Sequence, residues 1–182
     1  MASTAVELMR RRMMGARSAS IDWESIARGM VDNITEFELT DLPVSISANN
    51  QYSGRKGLKA VKIQGITNIG QAEFSGCSAL ESVEFPSNLD TIQYLAFGGC
   101  NLKTLSLPSS VTTIGQYAFN NNRSLQYIIC EATTPPTISS GTFNNTNSCP
   151  IYVPDARVND YKTANIWSDL ASRIFPISDL TT

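Results

Sequence analysis

Few residues of this chain have the types and spacing that chemistry requires. Its 182 residues include no histidine, which excludes the Ser–His–Asp and Cys–His systems that activate a nucleophile and most zinc sites. Two acidic pairs, Glu36/Glu38 and Glu81/Glu84, are conceivable as the carboxylates of a glycosidase. Carboxylates in such polar surroundings are ordinarily solvated surface groups. The sequence therefore predicts no catalytic residues, no metal ligands and no cofactor, and hence a protein that is not an enzyme.

The four cysteines also argue against redox or metal chemistry. They are widely spaced, without a C-x-x-C pair or the density of a disulfide framework. Cys77 and Cys100 recur at nearly the same interval as Asn122, so we expect all three to satisfy backbone groups inside equivalent turns. A Cys77–Cys100 disulfide is conceivable if these positions stack about 5 Å apart. We expect free thiols instead, because synthesis in the cytosol keeps thiols reduced.

Charge and hydropathy exclude two further classes of protein. The formal net charge is −2; residues 1–20 hold four arginines and one glutamate (+3), which leaves −5 on residues 21–182. A mildly acidic body lacks the basic stripe of a nucleic-acid-binding protein. No apolar run reaches the roughly 18 residues that span a bilayer. No apolar stretch of signal-peptide type follows Arg12, which predicts a chain that is not exported.

One apolar pattern, L-x-x-L-x-L, recurs every 22 to 24 residues. A period of this length is typical of a leucine-rich-repeat solenoid, in which each repeat contributes one strand to a parallel sheet. Prolines at 86, 108 and 154 follow three of these segments, where a strand must stop pairing. The sequence predicts an α/β repeat fold of about six coils, with strands near residues 34–39, 58–63, 80–85, 102–107, 125–130 and 150–153.

A second pattern, I-x-x-x-A/E-F, lies on the opposite arm of each coil. It places Phe74, Phe97, Phe119 and Phe143 at one height, where we expect them to stack from coil to coil. Short helices are predicted at both ends, because a solenoid must cover the apolar edges of its terminal coils. The predicted organisation is a basic arm over 1–20, an N-terminal capping helix over 21–33, the solenoid over 34–154 and a C-terminal cap over 155–182.

The C-terminal cap is predicted as one helix over 156–172. Asp155 is the expected N-cap residue, because its carboxylate can accept a hydrogen bond from a free amide of the first turn. Tyr161, Ala164, Trp167 and Ala171 would line its buried side.

Outward-facing strand residues are the candidates for binding a partner. Side chains alternate along a strand, so two outward columns can be identified from the repeat register. Both columns change from charged residues, among them Lys62 and Glu84, to the large apolar residues Tyr127, Ile129 and Tyr152. Exposed aromatic residues of this kind are typical anchors for a protein partner. Alternatively, the C-terminal segment folds over them; the sequence leaves the two interpretations open.

The repeat units resemble those of the BspA-like leucine-rich repeat family, whose consensus matches residues 80–100 (LESVEFPSNLDTIQYLAFGGC) at nearly every fixed position. The resemblance extends over about residues 58–177, because the tail from Ile151 to Ile174 is similar to the end of such proteins. The opening LMRRRMM (8–14) and DWESIARGMV (22–31) resemble the start of short repeat proteins encoded among virion structural genes of gut bacteriophages and prophages. Membership implies binding at an extracellular or virion surface.

These resemblances and the absence of an export signal favour a non-enzymatic virion protein, a decoration or fibre-like module made in the host cytoplasm. Its repeat face would bind a host-surface protein or glycan, and its arm would attach it to other virion proteins, with homo-oligomers on the particle a further expectation. Met-rich surfaces adapt to irregular pockets, so the anchoring residues are predicted to be Met9, Arg10, Arg11, Arg12, Met13 and Met14. The alternative is a bacterial surface or secreted adhesin.

Overall fold

The leucine pattern folds as a stack of coils, each of which adds one parallel strand to a main face. The computed structural model describes the backbone of residues 36–39 and the residues 50–180. The predicted arm and N-terminal capping helix lie outside these residues. The strands of the main face are β1 (Glu36–Leu39), β2 (Ala60–Ile63), β4 (Ser82–Glu84), β6 (Thr104–Leu107), β8 (Tyr127–Cys130), β10 (Ile151–Val153) and β11 (Ile174–Pro176).

The register of these strands confirms the repeat alignment. Val61 pairs with Val83, Leu105 with Ile128, and Ile128 with Ile151, all in parallel ladders. Residues that alternate with these point outward, as the strand period requires. The predicted strands are confirmed at all six positions, and the five that lie wholly within the described residues are one to three residues shorter than the apolar pattern.

The main face is divided into two sheets, which the sequence did not predict. Strands β1, β2 and β4 form one sheet, and β6, β8, β10 and β11 form the other. Backbone bonds still join the two: the amide of Lys103 donates to the carbonyl of Glu81 over 3.0 Å. At this break the third coil carries Phe85, whose ring is half-buried and packs edge-on against Phe97 at 5.6 Å between centroids.

A second sheet runs down the opposite side of the coils. It consists of four two-residue strands, β3 (Asn68–Ile69), β5 (Thr91–Ile92), β7 (Thr113–Ile114) and β9 (Thr137–Ile138), paired in parallel in that order. Their isoleucines are buried and face the core, whereas Asn68 and the threonines form the outer column.

The core between the two sheets contains the predicted column of stacked aromatic rings. Phe74, Phe97, Phe119 and Phe143 follow one another with centroid distances of 5.1, 5.5 and 5.9 Å and nearly parallel planes. Tyr52 extends the column at the N-terminal side at 5.3 Å. Burying a ring of this size contributes roughly 2–3 kcal/mol, so the column is a large part of what holds adjacent coils together.

A polar residue fills the equivalent turn of successive coils, as predicted for Cys77, Cys100 and Asn122. The two thiols donate to the carbonyls of Tyr52 and Phe74, each over 3.1 Å. The Asn122 amide donates to the carbonyls of Phe97 and Phe119 and accepts a bond from the Leu102 amide. Each residue therefore ties its own coil to the preceding one. All four cysteines are free.

The C-terminal cap is not the continuous helix that was predicted. It is replaced by a 3₁₀ turn (Asp155–Arg157), α1 (Val158–Thr163) and a longer 3₁₀ segment (Trp167–Arg173), and a last 3₁₀ turn (Ile177–Asp179) follows β11. The chain is extended at Ala164, which ends α1, and Ile166 has a positive φ of 65°. This reversal brings both Tyr161 and Trp167 into the core, where their rings pack edge-on at 4.9 Å.

The predicted N-cap role of Asp155 is wrong. Pro154 and Arg157 are the N-cap residues of the first turn and of α1, and neither makes a side-chain capping bond. The Asp155 carboxylate instead accepts a hydrogen bond from the amide of Ser178 over 3.1 Å. That bond lowers the pKa of Asp155 and ties the last turn to the start of the cap.

Candidate functional site

The outward columns of the main face carry the candidate site. Strand pairing places Ile129 beside Tyr152 and Tyr152 beside Phe175. Tyr127 lies in the neighbouring column, with its ring 6.3 Å from that of Tyr152 in an edge-on arrangement. We call these four residues, Tyr127, Ile129, Tyr152 and Phe175, the aromatic ridge.

The ridge is open to solvent along the described part of the chain. Tyr127, Ile129 and Tyr152 are half-buried, and Phe175 is 40% exposed. The rings of Tyr152 and Phe175 are 6.3 Å apart. The C-terminal segment therefore adds a ring beside Tyr152. Apolar surface that remains contiguous at the end of a rigid sheet is the usual mark of an interaction site.

Phe175 was missed at the sequence level, although its signal was present. Ile174 follows Ile151 by 23 residues, which is the distance from Ile128 to Ile151. Extending the register by one more coil places Phe175 after Tyr152 in the outward column. Residues 155–182 were all assigned to the cap, so this seventh strand was not predicted.

The charged residues predicted for the same face lie apart from the ridge. Lys62 and Glu84 pair with each other at 3.4 Å between Nζ and Oε2, and both side chains are largely exposed. Such a surface ion pair contributes between 0 and 1 kcal/mol. Ser106 separates Glu84 from Ile129 along the column. The structure thus brings together Tyr127, Ile129 and Tyr152, and it places Glu84 and Lys62 in a separate charged region, two and three coils away from Ile129.

Glu81 and Glu84, the acidic pair in the described residues, belong to this charged region. Glu81 faces Lys103 at 4.0 Å, and both carboxylates are exposed. Neither carboxylate has the buried or unpaired environment that tunes an acid for catalysis. Among the residues that the structure describes, no group of three or more Cys, Asp or Glu side chains could hold a metal ion.

Among the described residues, one carboxyl group is fully buried, and the sequence did not single it out. Glu73 is 0% exposed, and burial raises its pKa from 4.5 to about 8, although the backbone of Gln51 lowers it slightly. It occupies the position that holds Ala96 and Ala118 in the next coils. Its place in the I-x-x-x-E-F pattern is the signal that could have identified it.

The arm residues Met9, Arg10, Arg11, Arg12, Met13 and Met14 lie outside the described residues, so their anchoring role stays a prediction. Within the described residues, no helix combines the length and apolar character needed to cross a bilayer.

The stacked parallel coils, the polar residue in each turn and the capped end define a leucine-rich-repeat protein, a scaffold that offers a surface. Comparison with family models gives the particular family: six copies of the BspA type leucine rich repeat region match residues 44–164. The chain therefore belongs to the BspA-type leucine-rich repeat family, and the resemblance seen in its repeats is confirmed. No match was found among curated proteins.

Solved structures show the same fold. The leucine-rich repeat protein of T. pallidum is 25% identical with a TM-score of 0.58, over 67% of this chain and 60% of that one. The pneumococcal vaccine antigen PcpA is 20% identical with a TM-score of 0.59, over 79% of this chain and 40% of that one. The chain thus corresponds to 60% or less of the length of these two proteins.

Proposed function

We propose that this protein is a non-enzymatic binding module, of the surface-adhesin type, whose aromatic ridge is the anchor for a protein partner. The observation that carries the proposal is the ridge itself, which places Tyr127, Tyr152 and Phe175 side by side on a parallel sheet. Aromatic residues dominate the energetics of protein interfaces because they bury large area at a low cost in side-chain entropy.

The position of the ridge supports a protein partner. The rings project from three adjacent strands that are fixed by ladder hydrogen bonds, so their spacing is set before binding. A preorganised surface loses little conformational entropy on association. The hydroxyls of Ser106 and Thr104, both exposed, border the ridge on the N-terminal side. An apolar centre with a polar rim is the usual composition of a protein interface.

The test is to cross-link the full chain to surface-exposed proteins and to recover the partners. The partners recovered by the native chain are compared with those recovered by two variants. The ridge variant carries Tyr127→Ser, Tyr152→Ser and Phe175→Ser. The matched control is Tyr94→Ser, because Tyr94 is also 40% exposed but lies beyond the second sheet. Truncating a central aromatic anchor costs about 2 kcal/mol or more of binding free energy. The affinity of the ridge variant for a given partner should therefore be at least about 30-fold lower than that of the native chain.

Equal recovery of every partner by the ridge variant and the native chain would refute the proposal. A partner lost by both variants would point to unfolding, which the far-ultraviolet circular dichroism of each variant checks directly. The expected result is a protein partner that both the native chain and Tyr94→Ser recover and that the ridge variant loses.

Attachment to a phage particle is a second candidate, favoured by the LMRRRMM and DWESIARGMV segments and their resemblance to virion proteins. In that role the basic arm would attach the module to other virion proteins and the solenoid would project outward. Deletion of residues 1–20 should then abolish co-sedimentation with assembled particles without affecting the ridge. Equal co-sedimentation of the deleted and the intact chain would exclude the arm as the anchor.

A further inference from the structure

A cleft lies on the other side of the molecule, between the last repeat turn and the C-terminal cap. Its volume is about 270 Å³, and it is lined on one side by Ser139, Ser140 and Asn144 and on the other by Ile166, Asp169 and Leu170. The exposed carboxylate of Asp169 has no ion pair among the described residues. The walls thus combine hydroxyl, amide and carboxylate groups with the apolar side chains of Ile138, Phe143, Ile166 and Leu170.

An aromatic ring, that of Tyr117, lies directly against Gly141, one of the residues that line the cleft. Gly141 has a φ of 83°, and a Cβ there would clash with the Tyr117 ring. The φ of Gly141 by itself favours glycine, although Ala72, Leu95 and Tyr117 hold smaller positive φ values of 50°, 56° and 59° at the equivalent positions. The missing Cβ also leaves room for the ring, which lies directly on a residue of the cleft wall.

The aromatic surface continues away from the cleft. Tyr94 is 40% exposed, and its ring packs edge-on against Tyr117 at 6.1 Å. The two rings form an aromatic strip that leads to Gly141. Unlike the stacked phenylalanines of the core, these rings are partly exposed to water.

The opposite wall contains a strained residue. Ile166 adopts a φ of 65° and a ψ of −36°, a conformation that a β-branched residue rarely holds. Such strain costs about 1–3 kcal/mol and is concentrated at ligand sites. Ile166, together with Asp169 and Leu170 of the following 3₁₀ segment, lines the cleft opposite the last repeat turn.

We propose that this cleft binds one neutral pyranose unit of a glycan. A sugar ring offers an apolar C–H face, which suits Tyr117 and the aliphatic side chains, and hydroxyls that both donate and accept hydrogen bonds, which suit Ser, Asn and Asp. The cleft is smaller than the roughly 300–1,000 Å³ of pockets that hold larger ligands, so a single ring is the appropriate size. The site is independent of the aromatic ridge and of the protein partner proposed for it.

The experiment is saturation-transfer difference NMR with the full chain and the methyl glycosides of glucose, galactose, mannose, N-acetylglucosamine and fucose, each at millimolar concentration. At least one glycoside should receive saturation, with a Kd of about 1 mM, which is usual for a ligand with few contacts. The same glycoside should shift the amide resonances of Ser140 and Gly141. The ring protons that receive the strongest saturation should be those of one sugar face.

Two variants test the residues, and a third is the control. Tyr117→Ala should abolish the transfer, and Asp169→Asn should raise the Kd about tenfold by removing a charge-assisted hydrogen bond. Asp169 is exposed, so this variant keeps the fold even if Tyr117→Ala does not. Tyr152→Ser, on the aromatic ridge, should leave binding unchanged. The absence of transfer to all five glycosides, or unaltered binding in Asp169→Asn and folded Tyr117→Ala, would overturn the proposal.

Discussion

The buried carboxyl group of Glu73 should make the stability of the protein depend on pH. Glu73 is 0% exposed and holds a position where the next two coils have Ala96 and Ala118. Because the pKa is raised in the folded chain, the folded state binds the proton more tightly than the unfolded state does. The contribution of protonated Glu73 to stability is therefore fully present below about pH 4.5 and is lost as the pH rises towards about 8.

The size of this effect follows from the two pKa values. One pKa unit corresponds to about 1.4 kcal/mol, so the rise from 4.5 to about 8 sets an upper limit of about 5 kcal/mol on the loss. Water entry and relaxation around a buried charge reduce that limit. We expect the free energy of unfolding to fall by about 2–3 kcal/mol between pH 5 and pH 8.5 through this group alone.

Urea unfolding at pH 5, 7 and 8.5 measures the loss, with Glu73→Gln and Glu73→Ala as matched variants. Glutamine keeps the shape without the charge, and alanine is the residue that the neighbouring coils use. The thiols also titrate in the unfolded chain near the upper end of this range, but they contribute equally to all three proteins. If the free energies of unfolding of the native chain and of Glu73→Gln differ by the same amount at pH 5 and at pH 8.5, the burial of a titrating carboxyl group is refuted.

Three further predictions concern the turns and the core. Asn122→Ala leaves the carbonyls of Phe97 and Phe119 and the amide of Leu102 without a partner, so it should cost about 3 kcal/mol or more in urea unfolding; Asn122→Cys, which copies Cys100, should cost less, and equal losses would contradict the hydrogen-bonding role. Burial raises the pKa of the Cys77 thiol to about 11, so the cysteines should resist a thiol-specific reagent at pH 8 until the chain unfolds; rapid labelling of folded protein would contradict their burial. Phe97→Ala, within the ring column, should destabilise the chain by about 3–5 kcal/mol, and thermal unfolding that matches the native chain would show that the column is not a major contributor.

The main strands could be predicted because leucine spacing and strand pairing share one period. A residue such as Leu105 must be apolar to face the core, and its partner Ile128 must be apolar one coil later. The second sheet could not be predicted in the same way. Its strands have only two residues each, one buried and one outward, which is too short for an alternating pattern to appear.

The C-terminal cap was misjudged because apolar spacing alone does not show where a helix ends. Tyr161 and Trp167 belong to different short helices, and each is held by a specific bond. The Tyr161 hydroxyl donates to the carbonyl of Ala132 over 2.8 Å, and the Trp167 indole N–H donates to that of Pro136 over 2.7 Å. Two anchors on neighbouring parts of the last coil require the chain to turn between them, and Ile166 provides that turn.

The candidate sites follow from a difference between the buried and the outward positions of each coil. Buried positions are constrained by their neighbours, so Ile69, Ile92 and Ile114 repeat with little variation. Outward positions are constrained only by solvent, and a repeat protein can leave them polar at no cost to the stack. A large apolar residue at such a position exposes apolar surface to water, which is less favourable than a polar residue there. Nothing in the coil compensates for this cost. The ridge around Tyr152 and the strip around Tyr117 are the two places on the described surface where aromatic rings cluster in this way. They lie on different sides of one rigid stack, so each can be removed by substitution without disturbing the other, and binding of a protein and of a sugar can be separated experimentally.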